Sequence, residues 1–150
     1  MGTDVSRMSG QLMIVTAAII ISAVMFSAVA VALGPIGEMD DDLTQMLRYG
    51  MLAVTVAIGM QTAAMNMVFA RKIASAQGAD AKLAAVRTRT IVLMAGGEAA
   101  ALMAALVILL TGPSVLVAPA FGLFVLVAAI VFPTPSRIQQ ALNPPKDRYS

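Results

Sequence analysis

The chain has 150 residues, of which 59% are hydrophobic and 12% charged, with a net charge of +2 and a mean hydropathy of +0.87. Soluble domains carry about 25% charged residues, so this composition excludes an ordinary soluble domain and leaves too little polar chain for a second one. The absence of cysteine and histidine excludes disulfides, thiolate or imidazole metal sites, haem ligation through histidine and a histidine proton relay.

Residues 1–10 are short and polar, with Arg7 as their one basic side chain. Residues 11–33 then run for 23 positions without a charge. As a helix this stretch is about 34 Å long, enough to cross the hydrocarbon of a bilayer. A cleavable signal peptide is the competing reading, because the small residues of SAVAVALG have suitable spacing. The apolar part of a signal peptide is only about 7–15 residues long, so the stretch is read as a span. Gly34 and Pro35 end it, since proline cannot continue the hydrogen-bond ladder. The acids Glu38, Asp40, Asp41 and Asp42 follow and read as a solvated loop. They lack the twelve-residue ligand pattern of a calcium loop.

Residues 49–70 form the second predicted span, uncharged but carrying Thr55, Gln61, Thr62 and Asn66, and Arg71 and Lys72 stop it. The connector from Arg71 to Arg89 holds five basic residues and one acid, and its Ala-rich second half is expected to extend the next helix. Short basic loops remain cytoplasmic, which places the acidic loop on the opposite side. The third span is predicted over 90–111. Thr111-Gly112-Pro113-Ser114 leaves room only for a tight reversal into a fourth span over 114–132, which Pro119 interrupts one turn in. The tail, residues 133–150, has four prolines and Arg137, Lys146 and Arg148; it is expected to be cytoplasmic and flexible. The expected fold is therefore all-α, with four transmembrane helices in two antiparallel hairpins forming a bundle, both termini cytoplasmic, in the cell inner membrane. A shift of 78 positions lays Gly34-Pro35 on Gly112-Pro113 and Met25 on Met103. A duplicated hairpin would produce such matches, though Ala and Val matches come cheaply in apolar helices.

Glu98 is the only charged side chain within the four predicted spans. A carboxylate at bilayer depth costs about 2.5–3.5 kcal/mol on insertion scales, so it has to meet protein or water. Two stripes of small residues run beside it, Gly96, Ala100 and Ala104, and Gly97, Ala101 and Ala105. Small residues let membrane helices approach closely where no hydrophobic drive brings them together, so this side of the third helix is the expected packing face. Glu98 lies about 13–14 Å past Arg89, and Gln61 about 15 Å before Arg71. The two longest polar side chains in the spans thus share one level on antiparallel neighbours. A Glu98–Gln61 hydrogen bond is expected, within the chain or across a subunit contact, with Ser22 at a similar depth able to join. Polar adhesion between helices is the plainer role for Gln61. The twelve methionines form no dense ligand cluster and read as apolar filler.

The segment Arg87–Leu110 resembles the second helix of the F-type and V-type ATP synthase c subunit, the rotor proteolipid. Arg87-Thr88 is followed after eleven residues by Glu98 and then by AAALMAALVILL. The resemblance implies that Glu98 is a proton- or Na⁺-binding carboxylate. It covers about 25 residues. Outside them, the preceding loop has no Arg-Gln-Pro, and the preceding helix carries only Gly50 and Gly59.

Two readings of function follow. The first is a small non-enzymatic multi-pass protein serving as an accessory or structural subunit of a larger membrane assembly. The second is an oligomeric proteolipid, coupled to protons or a monovalent cation, that uses Glu98 as its ion-binding carboxylate. No nucleophile–base pair, metal cluster or phosphate loop argues for catalysis or for a cofactor. The basic residues lie at helix ends, where topology explains them without nucleic acid.

Overall fold

The computed structural model describes residues 2–142, and it contains helices and no strand among them. The helices are α1 (Gly2–Leu33), α2 (Asp41–Ser75), α3 (Ala79–Thr111), α4 (Ala118–Val131) and α5 (Pro135–Leu142), with a single 3-10 turn at Val115–Val117 leading into α4. Three helices are long and apolar enough to cross a membrane: Ser6–Leu33 within α1, then α2 and α3. The stretch Val115–Val131 and the following α5 together pass the same test, but they are bent by 62° where they meet.

Several helices outrun the apolar stretches that predict them. α1 starts at Gly2, so the polar N-terminal segment is helical. α2 continues through Arg71 and Lys72 to Ser75. Charge ends the apolar run but not the helix, because Arg and Lys are good helix formers. Asp41 and Asp42 occupy the first turn of α2, where carboxylates complement the positive end of the helix dipole. Pro119 sits in the first turn of α4, a position whose N–H has no intrahelical partner, so it starts this helix rather than interrupting it. Gly112, with φ +77°, turns the chain after α3 while its N–H bonds the Ile108 carbonyl at 2.8 Å.

α3 is the centre of the fold and touches α1, α2 and α4 along its length. Half of its apolar window is buried, against 17% for α1 and 11% for α2. Ala100, Ala101, Ala104 and Ala105 are fully buried. Their methyl groups let three helices surround one, the close approach by which membrane helices gain van der Waals contact. α1 runs parallel to α3. Its C-terminal Gly34 lies so near the Ile108 carbonyl that a Cβ would come within 2.8 Å, and Ile36 N–H donates to the Leu109 carbonyl at 2.9 Å. α2 and α4 run antiparallel to α3. Arg48, two turns into α2, ties the reversal by donating from Nη2 to the Thr111 carbonyl at 2.6 Å and from Nε to Thr111 Oγ1 at 3.3 Å. A cation at that carbonyl satisfies the negative end of α3.

The expectation of a flexible tail is corrected over residues 135–142. There α5 is amphipathic, with Ile138 only 1% exposed, and it lies against α1 and α3. Arg137 Nη1 donates to the Ala129 and Ile130 carbonyls at 2.7 and 3.0 Å, which closes the end of α4. Ser9 of α1 donates to the Pro133 carbonyl at 3.1 Å. One apolar anchor and these polar ties fold the chain back, and proline-rich composition alone does not reveal them. The remainder of the predicted tail, residues 143–150, lies outside the described residues.

Candidate functional site

Three successive residues of α3 face three different ways. Successive helical residues are turned by about 100°. A Cβ on Gly96 would meet Thr62 Oγ1 of α2 at 3.5 Å, and one on Gly97 would meet Phe124 and Val127 of α4 at 3.3 Å. Glu98 turns one further step, onto the flank beside α1. Met94 and Ala101, one turn before and after it, are fully buried and cluster with Ala23 of α1. Glu98 itself is half-buried at the margin of that contact. No hydrogen bond among the described residues ends on its carboxyl, and no buried polar side-chain atom lacks a partner. The carboxyl oxygens therefore reach the surface of the chain.

Gln61 lies on the other flank. It is exposed on α2 and lines a cavity of about 260 Å³ with Thr62, Met65, Val92, Gly96 and Ala99. This cavity spans the level of Glu98 along α3 but opens on the Gly96 side. Two residues of helix turn a side chain by about 200°, so Glu98 points away from Gln61. The expected Glu98–Gln61 hydrogen bond does not form within the chain. Ser22 is exposed on α1, one residue before the buried Ala23, and it does not reach Glu98 either. Of the three polar residues placed at one depth, the fold brings no two together. Gly96 is half-buried at the α2 contact, Gly97 is buried at the α4 contact, and the four alanines form the seam.

Two polar pairs carry the ends of the fold, and neither is part of the sequence reading. Arg48–Thr111 joins α2 to the end of α3. At the opposite end, Arg89 Nε of α3 donates to Asn66 Oδ1 of α2 at 2.9 Å. The level argument applied to Gln61 also finds this second pair, since Asn66 lies one turn inside Arg71 and Arg89 immediately precedes the apolar run of α3. Among the described residues no group of three or more acids could hold a metal ion. An apolar cleft of about 510 Å³ lies between α1 and α4 and is lined by Ile20, Ala23, Val24, Phe121, Phe124 and Phe132 among others.

No protein-family model, curated protein or solved structure matches this chain.

Proposed function

We propose that this chain is a non-enzymatic integral membrane protein that serves as a subunit of a larger membrane assembly. It crosses the cell inner membrane four times as a helix bundle, and both termini lie in the cytoplasm. The observation that carries the reading is the unfinished surface at mid-depth. Gln61 is exposed on one flank of the α2–α3 pair, and the Glu98 carboxyl reaches the surface on the other. Each is costly against acyl chains, and a protein partner or a second copy of the chain removes both costs. The small buried share of α1 and α2 supports the same reading, since most of their apolar surface has no neighbour among the described residues. Gentle solubilisation followed by mass measurement tests it. The expected particle contains several 15.5 kDa chains or further polypeptides. A monodisperse single chain from native membranes overturns it.

A second reading is favoured by one feature, that Glu98 is accessible yet has no hydrogen-bond partner among the described residues. In that reading Glu98 is an exchangeable proton or cation site in an oligomer. Labelling by a hydrophobic carbodiimide, slowed by bound cation or by high pH, supports it. An inert carboxyl, with Glu98→Gln assembling normally, leaves only the subunit role.

A further inference from the structure

The Arg89–Asn66 pair stands where the C-terminal end of α4 meets α2 and α3, with the α2–α3 hairpin continuing beyond it. Arg89 is half-buried, and its Nε is committed to Asn66 while neither terminal nitrogen is bonded by a described residue. Arg137 spends Nη1 on two carbonyls of α4, and its Nε and Nη2 have no partner among the described residues. Arg137 is carried by α5, which packs against α3, the helix that carries Arg89. Two guanidinium forks whose remaining N–H donors have no partner among the described residues match a phosphate in geometry and in sign.

A groove of about 170 Å³ begins at the same place and runs along the membrane-embedded parts of α2 and α4, lined by Gly59, Ala63, Asn66, Leu126 and Ile130 among others. Asn66 is both a wall of this groove and the partner of Arg89. Ile130 is both a wall and, through its carbonyl, a partner of Arg137. The cationic seat and the apolar groove are therefore one continuous feature.

We propose that Arg89 and Arg137 seat the phosphate of an anionic phospholipid at this end of the molecule, with one acyl chain lying in the groove between α2 and α4. Arg71, Lys72, Lys82 and Arg87 share this end and attract an anionic leaflet towards the seat. The inference rests on the chain crossing a membrane and not on its being a subunit.

The purified full-length chain, in nanodiscs or neutral detergent, is titrated with phosphatidylglycerol and phosphatidylcholine, and bound lipid is counted by native mass spectrometry. The expected preference for phosphatidylglycerol is about tenfold or more. Arg137→Gln and Arg89→Gln each weaken it and together abolish it, whereas Lys72→Gln, at an exposed position off the groove, removes one leaflet-attracting charge from the same end and costs only a small part of it. Ala63→Phe fills the groove and weakens lipid retention with both arginines in place. Inorganic phosphate in excess does not displace the lipid. Should the double variant not fold, Arg137→Gln and Ala63→Phe, both at exposed positions, decide alone. Retention unchanged in these variants overturns the proposal. So does displacement by inorganic phosphate together with indifference to Ala63→Phe, which would mark a free-phosphate site.

Discussion

Gly96 and Gly97 are adjacent in one helix, yet adding a methyl group to each should have different consequences. On Gly96 the new Cβ lies 3.5 Å from Thr62 Oγ1, an ordinary contact with a side chain that can rotate. On Gly97 it lies 3.3 Å from Phe124 Cδ2 and from Val127 Cβ, and 3.4 Å from Val127 Cγ1. A Cβ atom is fixed to its backbone, so Val127 yields only if α4 moves. Removing a helix-interior glycine gains at most about 1 kcal/mol of helix propensity, and this gain is common to both variants. The overpacking term, about 1–3 kcal/mol for an added methyl in a tight core, falls on Gly97→Ala alone. Gly97→Ala is therefore expected to be less stable than Gly96→Ala by about 1–3 kcal/mol. Reversible unfolding in mixed micelles, followed by circular dichroism, measures that difference. Equal stabilities, or a more stable Gly97→Ala, would refute the claim that α4 presses on α3 at this glycine.

Other substitutions probe the two ends. Arg48→Gln removes a charge-assisted bond to the Thr111 carbonyl and should destabilise the chain by about 1–2 kcal/mol. Thr111→Val keeps that carbonyl bond and should cost less in the same unfolding assay. Ile138→Ala empties the anchor of α5, a loss of about 2 kcal/mol or more of docking energy. Hydrogen exchange should then quicken over residues 135–142 while the middle of α3 stays protected.

What the sequence makes legible here follows from what helix periodicity and hydropathy measure. Apolar run length locates α1, α2 and α3, and the spacing of Gly96 to Ala105 picks out the face of α3 that meets its neighbours. Rise per residue puts Gln61 near the level of Gly96 and Ala99, with which it lines one cavity. Direction around the axis is a separate matter. The two-residue difference between Gly96 and Glu98 turns the carboxyl to the opposite flank from Gln61, and depth carries no information about that. α5 escapes notice because one buried isoleucine, one arginine and one serine hold it. None of these stands out among prolines until the carbonyls of α4 and the first turns of α1 are in place. Arg48 is likewise unremarkable until the end of α3 lies beside it. The resemblance around Arg87–Leu110 concerns spacing along one helix, and spacing alone does not determine what faces Glu98.

The account turns on what covers the two polar flanks at mid-depth. The chain has no cysteine, so single spin labels can be placed cleanly at Ala57, one turn before Gln61, and at Leu102, one turn after Glu98, leaving both polar residues intact. Their collision rates with oxygen in native membranes, compared with those of a phospholipid labelled at the same depth, measure directly whether acyl chains or protein surround them. The account predicts rates several-fold below the lipid value at both positions. Rates equal to the lipid value at both would mean that Gln61 and Glu98 face the bilayer unaccompanied, and would contradict it.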